Sequence, residues 1–268
     1  MKTIALCGLA LAGVAGTAIA DVEFHAGDLT VNRVYELGQA AYGSPRLDPG
    51  ASYSNIDNFT GQAFANGGAA SQSGNIITRL VADDTTWAGP VLTGQSVLTV
   101  RFSVANLNNT AVSARARIRF WAADGAGGGP GSYYSGVGFT FNALSFGTGV
   151  TVVTGSIGAG AFPAIAPGQT LWAGITFDNN SGATGATLAQ MNNLGQGIFN
   201  PVGIGSSADL FFQTNAAGSF FNTANPAGSL TNFGGNPVGN FGWEFIVPAP
   251  SSLALLGLGG LVAARRRR

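Results

Sequence analysis

The sequence predicts an all-β protein: an antiparallel β-sandwich of jelly-roll or immunoglobulin-like type, flanked by an N-terminal signal peptide and a short C-terminal hydrophobic helix. Three observations carry this prediction. Apolar residues recur with period two in short runs, Gly-, Pro- and Asn-rich turns separate those runs, and no long amphipathic helical pattern lies between them. Of 268 residues, 46% are hydrophobic, 9% charged and 42 are glycine, which excludes a charged helical protein. With 18 Phe, 5 Tyr and 4 Trp, the chain holds the core material that disordered chains lack.

The elements follow in order. Lys2 opens a short positive region, residues 4–14 are apolar and small, and Ala18-Ile19-Ala20 gives an A-x-A pattern before Asp21. These are the three parts of a secretory leader over residues 1–20, cut by signal peptidase after Ala20. The single cysteine, Cys7, falls inside that leader, so the mature chain has no thiol for a disulfide, a metal or thiol catalysis. Residues 21–246 form the passenger domain. Residues 31–75 read as an extended lead-in, with Ile56, Phe59 and Phe64 available to pack on a sheet.

Period-two alternation then sets in. In the run 97–105, Leu98, Val100, Phe102 and Val104 share one face, while Thr99, Arg101 and Ser103 share the other. The run 115–121 repeats this, as does 171–178, with Leu171, Ala173, Ile175 and Phe177 opposite Trp172, Gly174, Thr176 and Asp178. Further strand candidates are 76–81, 137–141, 150–154, 208–214 and 242–247. Turn chemistry marks 106–110, 125–131, Ala166-Pro167-Gly168 and 178–182. The Gly- and Asn-rich stretch 192–239 reads as long loops around one or two strands.

Between the leader and the terminal arginine cluster the chain carries seven arginines against twelve acidic residues, and no lysine. That balance argues against nucleic acid as partner, because phosphate binding needs a basic stripe. His25 is the only histidine and lies close to the mature N-terminus, which disfavours a Ser-His-Asp triad or a histidine metal site. Asp83-Asp84 is a carboxylate pair, but adjacent strand residues point to opposite faces, so it reads as a solvated loop start. Asp178-Asn179-Asn180-Ser181-Gly182 resembles the opening of a calcium loop. Position 12 from Asp178 is Ala189 rather than glutamate, so a β-turn is the better reading. Arg115, Arg117 and Arg119 form a one-faced row ending at Trp121, a possible ligand face for an acidic polysaccharide. The competing reading is a strand whose arginines pair with nearby carboxylates. Trp87, Trp172 and Trp243 read as core or rim aromatics. No catalytic residue, cofactor or metal site is assigned, and the expectation is that the protein is not an enzyme.

The C-terminal segment, residues 247–268, begins with Val247 and continues Pro248-Ala249-Pro250, Ser251-Ser252, an uncharged run over 253–264, and Arg265, Arg266, Arg267 and Arg268. The prolines stop the preceding strand. A helix over 251–264 spans only about 21 Å at 1.5 Å per residue, against roughly 30 Å of hydrocarbon core. It is a marginal span, and the arginines favour the cytoplasmic side. This tripartite tail resembles the PEP-CTERM sorting signal, a tail also labelled an ice-binding protein C-terminal motif without any bearing on ice. The resemblance implies recognition by an exosortase, a membrane transpeptidase-like cysteine protease that cleaves near the motif. It also implies at least transient membrane contact through the helix and delivery to the cell envelope, cell surface or extracellular matrix. The family's Pro-Glu-Pro is Pro248-Ala249-Pro250 here.

From the ends, the expected role is a structural or adhesive surface protein. A carbohydrate-binding module for exopolysaccharide is the alternative, and an envelope hydrolase would need two carboxylates brought together in a pocket.

Overall fold

The computed structural model describes residues 22–24, 30–42, 50–89, 98–134, 137–157, 164–216, 227–235 and 238–247. The expected leader with Ala18, Ala20 and Asp21, as well as His25 and residues Pro248 through Arg268, lie outside the described residues. In chain order the strands are β1 (Val22–Phe24), β2 (Thr30–Tyr35), β3 (Ala41–Tyr42), β4 (Ala51–Ser54), β5 (Asn58–Ala65) and β6 (Ala70–Gln72). They continue as β7 (Asn75–Ile77), β8 (Val81–Thr86), β9 (Leu98–Asn106), β10 (Val112–Ala122), β11 (Phe139–Phe146) and β12 (Gly149–Ile157). The last are β13 (Thr170–Asp178), β14 (Leu194–Phe199), β15 (Leu210–Thr214), β16 (Gly228–Asn232), β17 (Asn240–Phe241) and β18 (Trp243–Ile246), and one short helix, α1, covers Leu188–Asn192.

Two nine-stranded sheets result. The first runs β1-β11-β10-β13-β8-β15-β16 with β6 and β7 beside β13. The second runs β2-β12-β9-β14-β5-β3, with β17 on β14 and β18 between β9 and β4. The described pairings are antiparallel except for β1 on β11, which is parallel.

Period two decides what each strand buries. Leu98, Val100, Phe102 and Val104 of the second sheet meet Ala116, Ile118, Phe120, Ala173, Ile175 and Phe177 of the first in one shared cluster. Aromatic rings join the layers there: Trp243 lies 6.0 Å from Phe102 and 6.4 Å from Phe120, and Phe245 lies 5.0 Å from Trp87. The opposite faces are also covered. Leu80, Ala82, Trp121, Trp172 and Phe212 pack on the outer side of the first sheet, and Ile56, Phe59, Ala105, Val150, Val152 and Phe199 on that of the second.

Most of the expected runs are strands, but three readings need correction. The run 76–81 is not one strand: β13 pairs Asp178 with Ile77 and Ile175 with Val81, so one extra residue separates β7 from β8. The Asn66 amide fills that break, donating to the carbonyls of Ile175 at 2.9 Å and Arg79 at 3.3 Å. The stretch 31–75 is not a lead-in but supplies β2 through β7, because its Gly- and Asn-rich turns conceal short buried strands such as β4. The described residues of the stretch 192–239 carry three strands, β14, β15 and β16.

Gly174 shows how tightly the outer face is packed. A Cβ there would stand 2.9 Å from Ala82 Cβ, 2.9 Å from Leu80 Cδ1 and 3.1 Å from Trp121 Cζ3. Gly174→Ala is therefore expected to lower unfolding stability by about 1–3 kcal/mol through overpacking, measured by denaturant titration. An unchanged midpoint would show that the Trp121 layer yields freely.

Candidate functional site

The arginine row lies on the outer side of β10, and the structure gives its members different environments. Arg115 forms a two-pronged ion pair with Asp178 on the neighbouring β13: Nε donates to Oδ1 at 2.8 Å and Nη2 to Oδ2 at 2.7 Å. Register places the two side by side, since Arg115 faces Asp178 across the ladder. Arg117 is half-buried, and Arg119 is buried with Nη1 donating to the Ile118 carbonyl at 3.0 Å. Trp121 is only 1% exposed, packed with Trp172, Leu80 and Phe212, and its ring lies 5.8 Å from that of Tyr133. It is not the exposed indole that a sugar platform on this row requires. Trp87, Trp172 and Trp243 are buried too, and Trp172 Nε1 donates to the Gly128 carbonyl at 2.9 Å.

Asp83 and Asp84 are not a solvated loop start. They sit within β8, Asp83 wholly buried and Asp84 nearly so, because β8 runs between β13 and β15 in the interior of the sheet. They do point to opposite faces. Asp83 Oδ2 accepts the Phe241 N–H at 2.6 Å and Oδ1 accepts the Asp84 N–H at 3.1 Å. Asp84 Oδ1 accepts the Ser207 hydroxyl at 2.9 Å, and Oδ2 accepts the Ala208 N–H at 3.0 Å. Each carboxylate thus clamps a segment more than a hundred residues away.

Burial pushes the Asp83 carboxyl well above the ordinary carboxylate range, and the neighbouring Asp84 charge adds to this, against the bond from Phe241. Burial also raises Asp84, against the bonds from Ala208 and Ser207. Tyr53, buried in the shared core, is pushed well up by burial first and then by the charges of Asp83 and Asp84. Perturbed carboxylates of this kind often mark catalytic sites. Here each of the four oxygens accepts a hydrogen bond from the protein itself, so the pair reads as a structural clamp.

The segment after β13 is a turn, as its composition suggests. Gly182 N–H donates to the Asn179 carbonyl at 3.1 Å, and Asn180 and Ser181 take positive φ of 50° and 53°. Both Asp178 oxygens are engaged by Arg115, so a cation at this loop would have to displace a guanidinium. The remaining buried acids are also paired: Glu244 with Arg101 and Ser54, and Asp57 with Arg33. Among the described residues no three His, Cys, Asp or Glu side chains stand close enough together to hold a metal ion. No helix among them is long and apolar enough to cross a membrane, and the expected tail helix lies outside them.

Sequence reasoning missed the burial of Asp83 and the ion pairs of Glu244 and Asp57. The Arg115–Asp178 pair was within its reach, since Asp178 ends the outward series Trp172, Gly174, Thr176 of one strand and Arg115 begins that of another.

Comparison with known families finds one match. The model of the PEP-CTERM protein-sorting motif matches residues 247–268. That motif indicates sorting by an exosortase-type system to the cell surface. No curated protein matches the chain, and no solved structure does.

Two outcomes follow. Arg115→Met leaves the Asp178 charge buried and is expected to cost about 3–5 kcal/mol in denaturant titration, whereas a loss under about 1 kcal/mol would make the pair a surface bridge. For Asp83 and Asp84, the raised folded values mean that the folded state holds more protons than the unfolded chain above pH of about 4. Their contribution is fully present below that pH and is lost as pH rises through the folded values. Asp83→Asn should flatten this decline in melting temperature measured across pH, and an unaltered slope would remove Asp83 as its source.

Proposed function

We propose that this chain, sorted through its PEP-CTERM motif, is an exported protein of the cell surface or extracellular matrix with a structural or adhesive role, its β-sandwich passenger delivered intact. The observation that carries the reading is the motif itself, at residues 247–268. The packing of the passenger supports a non-enzymatic role. The buried carboxylates Asp83, Asp84, Asp178 and Glu244 are all engaged by protein donors, and the four tryptophans are buried. Removal of residues 1–20 by signal peptidase and action of an exosortase-type protease near Pro248-Ala249-Pro250 belong to the same proposal. A retained tail would instead hold the protein at the inner membrane through residues 251–264.

Intact-mass analysis of protein isolated from its native envelope tests this. The expected mass lacks residues 1–20 and the segment beyond Pro250, and deletion of Arg265, Arg266, Arg267 and Arg268 mislocalises the protein. Ala249→Glu, which restores the family's glutamate, should increase the processed fraction. A full-length tail, with the deletion variant behaving as wild type, would overturn the sorting reading.

A further inference from the structure

The matched sorting motif begins at Val247, and that residue is also part of the folded core. Val247 is buried, and its N–H donates to the Gly50 carbonyl at 2.9 Å. Gly50 holds φ at 97°, a backbone state that other residues rarely adopt, so the turn that presents this carbonyl is written into the sequence. One residue upstream of Val247, Ile246 pairs with Ala51 of β4 on one side and with Thr99 of β9 on the other. The chain thus enters its motif from a strand with no open edge.

An enzyme that reads an extended segment holds it through main-chain hydrogen bonds, as a strand added to a sheet edge is held. Proline offers no N–H, so across Val247-Pro248-Ala249-Pro250 the only main-chain donors are those of Val247 and Ala249. One of the two is committed to Gly50. We propose that this contact restrains processing: the folded passenger withholds the first residue of its sorting motif, and the exosortase-type protease cuts only after Val247 has left Gly50 and the core. The proposal rests on the sorting argued above and adds to it a restraint built into the fold.

The size of the restraint follows from what is released. Freeing one buried valine and one hydrogen bond leaves the open form at on the order of one molecule in a hundred. Such opening is local, because the end of a strand separates at a fraction of the cost of global unfolding. Pro248 follows Val247 directly and has a fixed φ, so little slack separates the core from the motif. When a segment opens and closes faster than it is cut, the cleavage rate tracks the open population. Loosening Val247, or spacing the motif away from it, therefore speeds processing.

The test is pulse–chase labelling in the native cells, with the processed fraction followed by immunoprecipitation of the passenger and the product ends fixed by intact mass. Two variants are compared with the wild type. Val247→Ala loosens the contact, and its processing is expected to be about five- to tenfold faster. The second variant inserts Gly-Ser-Gly-Val between Val247 and Pro248, which keeps one valine in the core and places another, outside it, before the prolines. It is expected to be processed at least as fast as Val247→Ala, with the thermal midpoint of the wild type. Thermal melts verify that Val247→Ala is folded, and the insertion decides alone if it is not. An unchanged or slower rate in either folded variant overturns the proposal, and a slower Val247→Ala assigns the valine to the protease's own recognition instead. A full-length tail in the wild type and both variants overturns the sorting reading itself. Processing of all three at one rate leaves that reading standing and overturns the restraint alone.

Discussion

The packing of β18 against the opposite sheet is the contact on which the rest of the structure depends. Trp243 and Phe245 lie on the same face of that strand, their rings 5.8 Å apart and nearly parallel. Trp87 and Phe120 reach them from the first sheet, and Phe102 from the second. Such ring pairs contribute about 0.5–1.5 kcal/mol each beyond the area they bury. With Cys7 the one cysteine of the sequence, no intrachain disulfide can substitute for this column. Sheet-on-sheet burial must therefore hold two layers of short strands together.

Polar side chains complete what the strands leave open. The Asn66 amide replaces a missing ladder partner at the β7–β8 break, Asp83 holds the strand preceding Trp243, and Asp84 holds the loop that leads to β15. These are local costs, since each removes a polar group from water, and each is offset because the group is hydrogen-bonded. The sequence separation of the Asp83 and Asp84 partners means that these clamps close only when distant segments of the chain have come together. The perturbed acids thus serve to join distant segments of the fold.

Alternation made the middle of the chain legible. Where large apolar residues occupy one face of a strand and small or polar ones most of the other, as in β9, β10 and β13, period two gave both its existence and its inward residues. It failed where both faces are covered or the strand is short. β4 is buried at all four positions, and β14 reads LGQGIF with every residue buried, so neither shows alternation. The same double coverage misplaced Trp121: an outward position on β10 reads as solvent-facing unless a second hydrophobic layer is known to lie above it. Asp83-Asp84 failed for a related reason, since two adjacent acids resemble a strand end and nothing local reveals the N–H groups of Phe241 and Ala208 that receive them. The tail was legible because its signal is contiguous and compositional, and needs no tertiary partner.

The junction of fold and tail has a mechanical consequence. The match to the sorting motif begins at Val247, and Val247 is also the last residue of the core, its N–H bonded to Gly50. No linker separates them: Phe245, in the aromatic column, stands three residues before Pro248. A protease acting at the motif therefore meets a packed strand immediately upstream, and pulling on the tail loads β18 directly. Because β18 is hydrogen-bonded on both sides, to β9 and to β4, that load is shared across the ladder of the second sheet. The strand that closes the core is thus also the strand that leads directly into the sorting motif, so Trp243 and Phe245 stand within five residues of Pro248.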